Sequence, residues 1–100
     1  MPESRDTVLY LLDGMISWLR DVAVLATGTS HGGVRLLYAA HAEALIRQAQ
    51  AMDLDRCLDV VFELMALRDS LEQFVSPRLV AALAREKWLS LHAQSIVHSP

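Results

Sequence analysis

A single cysteine, Cys57, is the whole thiol content of this 100-residue chain. That excludes an internal disulfide framework and fits a reducing compartment. Lysine is almost as scarce, with only Lys87 among nine basic residues, and neither sign of charge gathers into a run. The net charge of -3 over 12 acidic and 9 basic residues therefore offers no basic stripe for a phosphate backbone, and direct contact with nucleic acid is not expected. No apolar run approaches the length of a membrane span, and the start MPESRD lacks the basic and apolar segments of a secretory leader. These features predict a cytoplasmic protein with no membrane contact. The GxGxxG, GxxxxGK[ST] and HExxH patterns are all missing. His31, His41, His92 and His98 have no metal-ligand spacing, and Cys57 alone cannot complete a zinc site. Ser17, Ser70, Ser76, Ser90 and Ser95 have no nucleophile-elbow context, since that motif needs flanking glycines on a strand-to-helix turn. The expectation is no metal, no cofactor and no enzymatic activity.

Apolar residues are plentiful, at 53% of the chain, somewhat above the usual share for a soluble domain. One hundred residues suit one domain, burying roughly two-thirds of the extended-chain surface. Some of the apolar excess calls for a partner to cover it.

The periodicity predicts four helices, at about 7–27, 34–51, 54–75 and 77–97, in an all-α bundle of four to five helices. In the first helix Val8, Leu11, Leu12, Met15, Leu19, Val22 and Ala26 share a face. Its apolar arc covers roughly 200°, wider than a one-sided surface helix needs, so neighbours are expected on more than one side. Gly28 offers a stop, TSHGG at 29–33 a loop, and Gly14 a weak point where another helix passes close. Asp13, Ser17, Arg20 and Asp21 form the polar side. In the second helix Val34, Leu37, Tyr38, His41 and Leu45 face inward.

Asp53 is placed to cap the third helix. There the apolar line starts on Leu54, Leu58, Val61 and Met65, with Cys57 as a small buried hydrophobe among them. It then moves to Leu64, Leu67, Leu71 and Val75, which means either that the helix crosses different neighbours at its two ends or that it bends. The alternative is that Arg68 and Glu72, four apart, simply pair on the surface. Ser76-Pro77 makes a tight corner: proline suits the first helical position and the serine hydroxyl can cap it.

Two segments carry a resemblance. Ser17-Trp18-Leu19-Arg20-Asp21, running on through Val22-Ala23-Val24-Leu25-Ala26-Thr27-Gly28, is similar to the first helix of the C-terminal domain of bacterial DNA polymerase III clamp-loader subunits. Ser76-Pro77-Arg78-Leu79-Val80-Ala81-Ala82-Leu83 resembles that domain's closing helix. The delta-prime subunit fits best, and the gamma/tau subunit shares a comparable closing segment. The match spans Leu11 to Leu91, with Ser76 where the family has asparagine, a conservative exchange at a helix cap.

The resemblance implies a collar domain, a fragment of a longer subunit, that packs against the collars of sibling clamp-loader subunits in a ring and so supports loading of the sliding clamp onto primed DNA. The ATPase-like domains that precede the collar in that family are missing from this chain. Trp18, Arg20, Asp21, Arg78 and Leu79 are the implied core or interface residues: Trp18 and Leu79 as packing anchors, the charged three setting partner register. A core Leu79 would cost about 2 to 5 kcal/mol on truncation to alanine. The same residues also fit a stand-alone bundle that self-associates as a homodimer or adaptor. A ligand-binding bundle around Tyr38 and His41 is a third reading.

Overall fold

A computed structural model describes residues 4–26, 39–73 and 75–97 of the chain, with side-chain environments through His92. Four α-helices are present in this part and no strand: α1 (Arg5–Ala26), α2 (Ala42–Ala51), α3 (Leu54–Leu71) and α4 (Pro77–Val97). The predicted all-α bundle is what forms. A 3-10 turn, Ala39–His41, leads into α2. The first part of the expected second helix, residues 34–38, lies outside the described residues, as do Gly28 and the TSHGG loop.

The central element is α1, which packs most on α3, then on α2, and least on α4, itself docked mainly on α3. Val8, Leu12, Met15, Leu19 and Val22 are all buried on it. Their spacing of four, three, four and three residues is the seam that lets helices interdigitate side by side. The neighbours present matching lines: Cys57, Val60, Leu64 and Leu71 on α3, and Val80, Ala81, Ala84 and Leu91 on α4. The wide apolar arc of α1 is thus used on several sides, as expected.

Side-chain pairings fix the directions. Asp13, early in α1, meets Arg68, late in α3, at 2.7 Å. Glu63 and Arg56 of α3 face Lys87 and Ser90 of α4. Both α1 and α4 therefore run antiparallel to α3.

The helix ends follow local chemistry. Ser4 begins α1: its Oγ accepts the Thr7 amide at 3.2 Å and its carbonyl accepts the Val8 amide. The sequence reading started this helix two residues later because it overlooked that cap. Asp53 caps α3 by accepting the Asp55 amide at 3.1 Å. The third helix stops at Leu71 instead of running to Val75. The Gln73 and Val75 amides turn back onto the Ser70 carbonyl, and the chain unwinds ahead of Pro77, whose ring disfavours helical geometry at Ser76. Ser76 then caps α4 through its Oγ, 3.4 Å from the Leu79 amide. The corner around which the two helices were expected to turn is there, and α4 continues to Val97, into the tail expected to fray.

Several expectations are corrected. Asp21, assigned to the polar side, is 0% exposed. Leu79 is 51% exposed and belongs to no core. His41 is exposed, not on an inner face. The apolar line of α3 does not swing: Leu58 and Met65 are exposed, and the buried line through Cys57, Val60, Leu64 and Leu71 is continuous. Arg68 pairs with Asp13 across helices and not with Glu72. At Gly14 a Cβ atom would meet nothing within 4 Å, so no close helix explains that glycine.

Two measurements check this packing. Gly14→Ala should raise unfolding free energy by roughly 0.5 to 1 kcal/mol, since alanine gains helix propensity without a clash. Leu79→Ala should cost less than about 1 kcal/mol, whereas Leu64→Ala, at a fully buried site, should cost about 2 to 5 kcal/mol. Urea titrations followed by helical circular dichroism read all three.

Candidate functional site

The residues singled out by sequence fall into two groups. In α1, Trp18 lies half-buried against the core, its indole Nε1 donating to Gln48 Oε1 of α2 at 2.8 Å. The His41 ring sits 6.1 Å from the indole, tilted by 54°. An aromatic body packed in apolar surroundings with its one donor satisfied is an anchor between helices. Trp18 therefore ties α2 to α1, and Gln48 is the partner that sequence reading missed.

Arg20 and Asp21 follow on the next positions. Arg20 Nη1 contacts Asp21 Oδ1 at 2.9 Å, with the arginine side chain 47% exposed and the carboxylate sealed. A buried carboxylate is costly without a cation or donors, so this pair holds a charge inside the bundle while Arg20 reaches the surface. There Arg20 borders a groove of about 300 Å³ with Val24 of α1 and Leu54, Leu58 and Val61 of α3.

Arg78 and Leu79 sit in the first turn of α4, both exposed. With Leu83 one turn on, they form an outward face, while Val80, Ala81 and Ala84 turn inward. These positions follow the C-terminal end of α3, whereas Arg20 lies beside its N-terminal half; α3 has 18 residues, or about 27 Å at 1.5 Å per residue. The structure does not gather the five candidates into one site. It distributes them between an inter-helix anchor, a buried ion pair and an exposed helix face.

The remaining polar contacts are structural. Glu63 receives Lys87 Nζ at 2.6 Å and Arg56 Nη1 at 3.9 Å, and Arg56 Nη2 reaches Ser90 Oγ at 3.4 Å. Arg56 Nε is buried with no acceptor among the described residues. Each member of the Lys87–Glu63 pair is about one-third exposed, so the pair contributes no more than about 1 kcal/mol. His92 Nδ1 lies 2.8 Å from the Trp88 carbonyl, with its ring beside that indole. Among the described residues no cluster of three or more His, Cys, Asp or Glu could hold a metal ion, and no helix is long and apolar enough to cross a membrane.

Cys57 is sealed in the core, its Sγ donating to the Leu19 carbonyl at 3.7 Å. Burial disfavours the thiolate and pushes the thiol pKa up from 9.0 to about 11. A thiol so placed is a packing group and a poor nucleophile.

A second groove, of about 410 Å³, opens between α1 and α4 and is lined by Leu11, Met15, Arg85, Trp88 and Leu89. On α3, Leu58, Phe62 and Met65 project outward, and Tyr10 on α1 and Ile46 on α2 are exposed as well. Sequence reading had placed Leu58 and Met65 in a buried line, because α3 carries two overlapping apolar stripes and periodicity alone does not choose between them.

Comparison with known proteins gives no family that matches the chain, and no similar curated protein or solved structure. The clamp-loader resemblance accordingly rests on the two short segments quoted above.

The Cys57 environment yields a pH prediction. The folded thiol ionises near 11 and the unfolded one near 9.0, so the unfolded chain releases its proton first as pH rises. The contribution is fully present below pH 9 and is lost toward pH 11, by at most about 1.4 kcal/mol per pH unit. Urea midpoints between pH 8 and 11 should show this component, and Cys57→Ala should lack it.

Proposed function

We propose that this chain is a protein assembly domain without chemistry of its own. In this reading it works in the cytoplasm as the collar of a DNA polymerase III clamp-loader subunit, docking on sibling collars and leaving ATP and DNA to other domains. The observation that carries the reading is the placement of the closing segment. Val80 and Ala81 supply the core, while Arg78, Leu79 and Leu83 remain outside, where a neighbouring subunit can reach them. Two exposed leucines one helical turn apart, beside an arginine, have the composition of an interface core with a polar rim. An excess of apolar surface on so small a bundle supports the same reading.

The alternative is a bundle that associates with itself. It draws support from the groove between α1 and α4, where Leu89 stands exposed beside the apolar cleft, so that two copies could exchange this leucine.

Size-exclusion chromatography with light scattering separates the two. A mixture with the collar regions of clamp-loader subunits from the same organism should give a mixed complex, and Leu79→Asp with Leu83→Asp should abolish it without loss of helicity. A stable homodimer that ignores those partners and is broken by Leu89→Asp would overturn the collar reading in favour of self-association.

A further inference from the structure

From the groove between α1 and α4 we infer a ligand site: a cleft for a single-chain amphiphile, its hydrocarbon tail along Leu11, Met15, Trp88 and Leu89 and its anionic head on Arg85. The site is separate from Leu79 and Leu83, the residues that carry the assembly reading, and does not depend on that reading.

The groove encloses about 410 Å³, with Leu11 and Met15 on the α1 side and Arg85, Trp88 and Leu89 on the α4 side. Met15 is 9% exposed and lies deepest, whereas Leu11 and Leu89 reach solvent. Trp88 packs partly against the core, with the His92 ring beside its indole. Sites for small ligands have volumes of about 300 to 1,000 Å³, apolar and aromatic walls, and a few polar groups that orient the bound molecule. This cleft has that size and that composition. Two leucines, a thioether and an indole favour a hydrocarbon chain, and the unbranched methionine adapts its shape to it.

The charge on the walls is of one sign. Arg85 is the charged lining residue, and Arg78, seven positions earlier and so on the same side of α4, is exposed as well. Among the described residues no carboxylate lines the groove. Asp6 and Asp13 lie about 160° to 180° round α1 from Met15, at 100° per residue, and Asp13 is turned to Arg68 of α3. Asp21 is sealed against Arg20, and Glu63 of α3 holds Lys87. Glu86 is exposed one position beyond Arg85, which carries it about 100° round α4 and outside the lining. The cleft therefore complements an anionic head and opposes a cationic one. Arg85 already takes part in a contact within the fold. A guanidinium has five N–H donors, however, and a carboxylate needs only two of them.

The probes are decanoate, decanol and decylammonium, which share a chain and differ in head charge, each kept below the concentration at which it aggregates. Isothermal titration calorimetry on the whole chain should show decanoate binding one to one, tighter than either of the others by about tenfold or more. Arg85→Gln should abolish the preference for decanoate over decanol and leave decanol binding unchanged. Leu89→Asp should weaken decanoate by about tenfold or more, with helicity unchanged. Decanoate should alter the indole emission of the chain and of Trp18→Phe, but not that of Trp88→Phe. Equal affinity for the three amphiphiles, no saturable binding, or an Arg85→Gln chain that still prefers decanoate would overturn the inference. A homodimer that decanoate does not dissociate would overturn it too, because Leu89 of a second copy would then fill the groove. The mixed complex formed through Leu79 and Leu83 is read separately, so failure here leaves the assembly reading standing.

Discussion

The heptad line along α1, from Val8 to Val22, is the constraint on which the rest of the structure depends. Two helices, α2 and α3, pack chiefly against that one helix, and α4 closes the bundle by docking mainly on α3 and less on α1. Burying an aliphatic side chain fully is worth about 1.5 to 3 kcal/mol, so five residues on one line dominate any surface ion pair in this molecule. The polar contacts then refine the arrangement. Trp18 to Gln48 holds α2, Arg68 to Asp13 holds α3, and Glu63 with Lys87 and Arg56 holds α4 against α3.

What was legible in the sequence was what depends on local chemistry. Helix number and type, the Asp53 cap, the Ser76-Pro77 corner and the burial of Cys57 all follow from spacing, capping and ring geometry. The sequence was weakest where a helix carries more apolar residues than its neighbours can cover. On α3 the lines Leu58–Val61–Met65 and Cys57–Val60–Leu64 are one position apart, and only the position of α1 and α4 decides that the second is inside. Leu79 illustrates the same difficulty: it reads as a core leucine beside Val80, but one residue is 100° on a helix, and the inward direction belongs to Val80 and Ala84.

Asp21 failed for a different reason. A carboxylate next to an arginine reads as a solvated pair, and most such pairs are solvated. Here the helix turns Asp21 inward while Arg20 spans from the carboxylate to the surface, so adjacent residues have opposite environments. Burial of the acid is consistent with the geometry because a counter-charge comes from the adjacent residue of the same helix.

The five candidate residues do not form one constellation, since the two segments that suggested them lie at different ends of α3. Surplus apolar side chains reach the surface on every helix, with Tyr10 on α1 the most exposed, and α3 and α4 carry theirs at opposite ends of the candidate set. On α4 both Arg78 and Glu86 are exposed within a turn of the outward leucines, and on α3 the outward aromatic and methionine have aspartates on one flank and Arg68 on the other.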